Sequence, residues 1–386
     1  MIETMKFIGT IWMMILVLAL SAPVKSQGRK EFDFRGQAIG WAAGNPADPL
    51  LIQGGLRYIP EISFSLPAGK LSFDGKFSGN FWASGSWENG EDVQYDGTVS
   101  PYRLWLRLAG DQFELRAGLQ KINFGSARLF RPLMWFESID PRDPLQLTDG
   151  VYGLLGRYYF LNNANIWLWA LYGDDKTKGW ELFPSKQNSV EYGGRIQLPL
   201  LTGEIAASYH HRIADPAGKV PGSVPEPDPA AENRIGIDAK MDLLVGLWAE
   251  AALIHQDLDF SPLDFKSMIN AGMDYTFGLG SGLNVMVEGF SYMQGEHAFG
   301  SEEEIWFGLL SASYPLNIVH NLTAMFFYDF SNQGLYRFIN WSMTFDRWNF
   351  YLMAFWNPEQ YQIYNLNTDA TLYSGWGFQL MAVFNH

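Results

Sequence analysis

Arginine is the residue type whose placement offers most chemistry in this chain. Arg103, Arg107, Arg116 and Arg157 stand on the polar faces of alternating runs, joined there by Glu114 and Gln120. A further set, Arg128, Arg131 and Arg142, crowds into one segment at 124–150, FGSARLFRPLMWFESIDPRDPLQLTDG. Guanidinium groups fixed on a wall hold carboxylates or phosphates in planar, bidentate fashion, so such a set suits the steering of anionic solutes. Covalent and metal chemistry have poorer material. The chain has no cysteine and 6 histidines, and His210 and His211 are neighbours on an alternating run, where they point to opposite faces and cannot chelate one ion. Asp215 is the nearest acid to His210 by sequence, in a link that reads as solvated. The run Gly278-Leu279-Gly280-Ser281-Gly282 lacks the following helix of a phosphate loop and reads as a turn. Asp257, Asp259 and Asp264 lack the glycine and terminal glutamate of a calcium loop. No enzyme activity, metal or cofactor is expected.

The elements that carry these residues alternate with a period of two. Between Tyr102 and Leu108, Tyr102, Leu104, Leu106 and Leu108 form one face and Arg103, Trp105 and Arg107 the other. The next run answers it, with Phe113, Leu115, Ala117 and Leu119 against Glu114, Arg116, Gly118 and Gln120. A tight turn at Gly110-Asp111 would set Arg107 opposite Glu114 and Arg116 opposite Trp105. Further along, Arg234, Asp238, Lys240 and Asp242 share one face, and Glu191, Arg195, His210, Arg212, Glu250 and Glu288 fall on the same side of their runs. Counting runs gives about 18 strands, an even number with both ends on one side. Their links alternate between short turns, such as Asn162-Asn163, Leu200 to Gly203 and Asp346-Arg347, and longer segments, such as 88–98, 124–149, 174–188, 214–233 and 357–370.

Composition agrees with such a chain. Aromatic residues supply 16%, charged residues only 18%, and glycine numbers 39, while the mean hydropathy lies close to zero. Strands that face lipid on one side and water on the other have this balance; a helical membrane protein would be far more apolar. The formal charge of -14 leaves no basic surface for nucleic acid. At the N-terminus, Lys6 precedes an apolar run from Phe7 to Leu20, followed by small and turn-forming residues and a Val24-x-Ser26 cleavage pattern. Residues 1–26 therefore read as a secretory signal peptide and 27–386 as one barrel domain. The expected fold is all-β, a closed antiparallel transmembrane barrel with short periplasmic turns and long extracellular loops, in the outer membrane of a Gram-negative bacterium. Tyr158, Phe160, Trp167 and Trp169 cluster near the Asn162-Asn163 turn as an interfacial girdle would. The segment 124–150 keeps Leu129, Phe130, Leu133, Met134, Trp135 and Phe136, which a water-exposed loop would not, and Pro132, Pro141 and Pro144 stiffen it. It is expected to fold inward as a constriction.

The run from Ala117 to Gly125, followed by Arg131, resembles the porin-like outer-membrane families that include the alginate-export barrels and related porins. There a strand ends in a G-R-Q-x-x-x-W-G pattern before an inward loop. Gly118, Gln120 and Gly125 match, while Leu119 stands where arginine is usual and Phe124 where tryptophan is. The resemblance implies a channel with a basic constriction passing an anionic solute, less one arginine at position 119. Passive passage of small hydrophilic solutes through a lipid-embedded channel is thus the expected function. The alternative is a non-conducting barrel, plugged by 124–149, that assembles or anchors surface polysaccharide or protein.

Overall fold

The computed structural model describes residues 32–46, 50–89, 92–173, 176–219, 227–358 and 373–386. The expected signal peptide and its cleavage site lie outside the described residues. The strands are β1 (Phe32–Asn45), β2 (Leu51–Ala68), β3 (Leu71–Glu88), β4 (Gln94–Ala109), β5 (Phe113–Gln120), β6 (Val151–Tyr159), β7 (Asn165–Tyr172), β8 (Val190–Leu200) and β9 (Gly203–Ala214). The second half comprises β10 (Ala230–Asp242), β11 (Gly246–Gln256), β12 (Phe265–Phe277), β13 (Leu283–Gly295), β14 (Glu303–Pro315), β15 (His320–Asp329), β16 (Gly334–Thr344), β17 (Trp348–Trp356) and β18 (Trp376–Asn385). Each pairs antiparallel with its neighbours in sequence, and β1 pairs with β18, so one 18-stranded sheet closes on itself without a free edge.

Side-chain burial runs opposite to that of a water-soluble sandwich. Along β10, Ile235 and Ile237 are each 53% exposed, whereas Arg234 and Asp238 are each 2% exposed. The apolar side chains face outward and the charges inward, which is stable only where the outside is hydrocarbon. The fold is a transmembrane barrel.

Three local expectations need correction. The hairpin between β4 and β5 closes on Gly110 and Phe113, with Asp111 and Gln112 at its tip, because the Gly110 N–H donates to the Phe113 carbonyl (2.9 Å). The register therefore sets Arg107 opposite Arg116 and Trp105 opposite Gly118, not Arg107 opposite Glu114. Tyr102 does not share the lipid face with Leu104: the β3–β4 ladder pairs Ser78 with Arg103 and Gly79 with Pro101, leaving Tyr102 as the extra residue of a β-bulge. Tyr102 lines the lumen, and the Arg103 guanidinium lies 3.9 Å from its ring centroid. Of the expected girdle, Tyr158 and Phe160 are outward and in edge-to-face contact, 4.9 Å between centroids. Trp169 is instead buried inside, stacked on Phe124 at 5.6 Å, and Trp167 sits beneath the Arg157 guanidinium at 3.8 Å.

The two residues after the terminal aromatic complete the closure. Asn385 is still in β18, and the backbones of Gly36 and His386 exchange both hydrogen bonds at 3.0 Å. The His386 ring fills the space over Gly36, where a Cβ would meet its Nε2 at 2.3 Å. The ring also hydrogen-bonds the Tyr58 hydroxyl at 3.0 Å and stacks on Phe384.

Candidate functional site

The segment between β5 and β6 folds into the lumen, as expected, and two glutamates of the far wall hold it there. Glu250 on β11 accepts the backbone N–H groups of Ser126 (2.8 Å) and Ala127 (2.9 Å) on one oxygen and of Leu133 (2.5 Å) on the other. Glu288 on β13 accepts those of Arg128 (2.8 Å), Leu129 (3.2 Å) and Phe130 (3.1 Å), and also Trp248 Nε1 (3.0 Å). Buried carboxylates satisfied by several N–H donors form strong, directional anchors. Gly125 makes the approach possible: its φ is +101°, and a Cβ there would lie 2.6 Å from Glu250 Oε2.

Apolar side chains of the segment fill this half of the barrel. Phe130 stacks between Phe290 (5.1 Å) and Phe307 (5.4 Å) and meets Phe327 edge-on at 5.6 Å. A second inward segment, between β7 and β8, packs over the first. Trp180 stacks on Phe290 at 5.1 Å and donates to the Arg131 carbonyl at 2.9 Å, while Gly179 lies where a Cβ would meet the Met134 carbonyl oxygen at 1.7 Å. Glu181 of the same segment pairs with Arg234 (2.6 Å) and Arg212 (3.5 Å), which share Glu232. Lys266 and Gln256 complete this buried network, Lys266 Nζ donating to Gln256 Oε1 at 2.7 Å. By composition this segment reads as an ordinary polar link, with Trp180 the signal for burial.

The sequence-predicted charges fall into three groups. Arg107, Arg116 and Arg157 gather near the short-turn rim around one acid, Glu114, at 3.5, 2.8 and 3.5 Å, and Arg107 also pairs with Asp74 at 2.8 Å. Among the described residues, the Nε atoms of Arg116 and Arg157 have no hydrogen-bond partner. Arg131 and Arg142 are internal to the inward segment, Arg131 paired with Glu137 (2.9 Å) and Arg142 with Asp140 (2.6 Å), and both are buried. Arg103 donates to the Thr148 carbonyl at 2.9 Å, Arg128 is exposed to the lumen near Trp248, and Gln120 donates to the Gly153 carbonyl at 3.0 Å. Leu119 is paired across the ladders with the outward Leu104 and Tyr152 but is itself buried, at 4% exposure. His210 is not beside Asp215: it is fully buried in the lumen, 3.3 Å from Glu191, with Trp169 Nε1 donating to its Nδ1 at 3.2 Å.

Open space remains on the opposite side, between the inward segment and β1–β4. A cleft of about 470 Å³ is lined by Tyr102, Asn80, Asp149, Lys176, Lys178 and Lys219. A second of about 500 Å³ is lined by Trp41, Trp82, Asp96, Asp143 and Gln379 among others. Arg57, Ser138 and Leu147 line both. Arg57 is the residue that sequence reading missed. Among the described residues it makes no ion pair and its Nε has no hydrogen-bond partner.

Comparison with known proteins places the architecture. Neither protein-family models nor curated proteins match the chain. Solved structures match it nearly end to end. OccK5 (OpdH) of Pseudomonas aeruginosa is 9% identical with a TM-score of 0.55, covering 93% of this chain and 99% of that one. OccAB4 of Acinetobacter baumannii is 9% identical, with a TM-score of 0.54 over 93% of this chain and 98% of that one. Wzi of Escherichia coli, described as an outer-membrane protein involved in group 1 capsule assembly and a carbohydrate-binding β-barrel, is 12% identical, with a TM-score of 0.51 over 92% and 84%. The chain has a porin-like outer-membrane barrel fold. At these identities the likeness is one of fold, and what passes or binds must be argued from the lumen itself.

Proposed function

We propose that this chain, exported through a cleaved leader at 1–26, is an outer-membrane channel whose path is displaced to one side of the barrel. The observation that carries this reading is the pair of clefts that share Arg57, between the inward segment and the β1–β4 wall, while on the other side the segment packs its apolar side chains against β13–β15. A narrow, polar path of this kind suits small hydrophilic solutes. Toward the short-turn rim the path meets Arg107, Arg116 and Arg157, three cations against Glu114 and Asp74, so anions are favoured at that end. Reversal potentials in a salt gradient across planar bilayers test the reading: an ohmic current with anion preference is expected.

The tight seating of the inward segment favours one rival, a plugged barrel that binds or anchors surface material. Absence of single-channel current from the reconstituted protein would select that rival.

A further inference from the structure

The cleft on the long-loop side has a lining that the basic rim does not. Trp41 lies flat against the wall because its cross-strand partner is glycine: a Cβ on Gly55 would come within 2.9 Å of Trp41 Nε1. Trp82, paired across the ladder with Arg57, supplies a second indole in the same cleft. Around these rings stand polar groups of mixed kind, Arg57 and Asp96 from the wall, Asp143 from the inward segment and Gln379 from β18. Of these, Arg57 and Asp143 attract each other without a contact ion pair among the described residues, and the Asp143 oxygens also accept the Leu145 (2.9 Å) and Leu147 (3.2 Å) N–H groups.

We infer that this cleft is a saccharide-binding subsite for one or two neutral pyranose rings, stacked on Trp41 and Trp82 with their hydroxyls met by Arg57, Asp96, Asp143 and Gln379. The C–H faces of a sugar ring pack on an indole, and its hydroxyls both donate and accept, so carboxylates, an amide and a guanidinium are all satisfied by one ligand. A small polyanion fits less well, since Asp96 and Asp143 face it with Arg57 as the sole unpaired cation among those lining groups. A purely aromatic solute would leave the polar groups desolvated and unmatched. The volume of about 500 Å³ lies in the range of small-molecule sites. The inference deepens the channel reading and rests on it for the route by which solute arrives.

Calorimetric titration of the full detergent-solubilised barrel with glucose, maltose and citrate tests it without requiring conduction. Saturable binding of maltose is expected, tighter than citrate. Trp82→Ala should weaken maltose binding at least tenfold, Trp82→Phe should retain most of it, and Arg57→Gln should lower it several-fold. Heat-modifiable migration on detergent gels checks that each variant is still a closed barrel. No saturable response to either sugar, equal maltose binding by the Trp82→Ala variant, or tighter binding of citrate would each overturn the inference. Sugar binding without current would remove the channel and leave the subsite; current without sugar binding would do the reverse.

Discussion

Glu250 and Glu288 show how a single side chain can decide the shape of a lumen. Each collects three backbone N–H groups of the inward segment, so neither works as a surface charge. Replacing Glu288 by alanine leaves those donors buried and unmatched, at a cost of about 2–5 kcal/mol. The expected outcome is a looser segment, read as larger and noisier single-channel current; unchanged current and noise would show that the aromatic packing holds the segment alone. At the rim, Arg116→Glu should lower anion over cation permeability, because it adds a second acid beside Glu114 and removes one of three cations; an unmoved reversal potential would place selectivity elsewhere. Asp143, on the inward segment, has its carboxyl pushed above the ordinary range by burial, against the pull of the Leu145 and Leu147 N–H groups. A raised value means the neutral form is favoured in the folded state, so its ionisation weakens the loop as pH rises through that value. The melting temperature of the barrel should therefore fall as pH rises through that value, and Asp143→Asn, which cannot ionise but keeps one acceptor oxygen for the two N–H groups, should flatten that pH dependence. Arg57 escaped the sequence reading for a physical reason: Gly54, Gly55 and Pro60 interrupt the alternation on both sides of it, so its face was ambiguous.

At the scale of elements, the strands were legible because lipid on one side and water on the other impose a period of two that survives sequence divergence. The segment 124–150 was legible too, since six large apolar residues in a polar link have no stable place in water. The segment between β7 and β8 was not: Trp180, Leu182 and Phe183 are diluted by Asp174, Asp175, Lys176 and Lys178, and burial comes from docking on the first segment instead of from composition. The bulge at Tyr102 was hidden for a related reason, because tyrosine is at home on either face. Deleting residues 127–148 should leave the sheet intact, as those residues belong to no strand, and convert an off-axis path into a wide pore. A several-fold rise in conductance with reduced ion selectivity is the expected result, and a barrel that no longer closes on detergent gels would instead make the segment a core of the fold.

For the whole molecule, closure is the condition on which every lumen contact depends, and its seam runs to His386. An even strand count brings both ends to one rim, but count alone does not say how β1 and β18 are kept in register. The seam uses Gly36 and His386: a reciprocal pair of backbone hydrogen bonds, with the imidazole lying over the glycine and bonded to Tyr58. Those two bonds contribute about 1–3 kcal/mol together, small beside the sheet but concentrated where the first and last strands must find each other. Removing Asn385 and His386 should lower the temperature at which the compact gel band converts to the unfolded one and slow refolding into detergent. Gly36→Val should reproduce the defect with the C-terminus intact, because its side chain would occupy the space of the imidazole. If the truncated chain melted and refolded like the full one, the register would have to be set by the aromatic and aliphatic residues of β18 alone, and the terminal histidine would be incidental to closure.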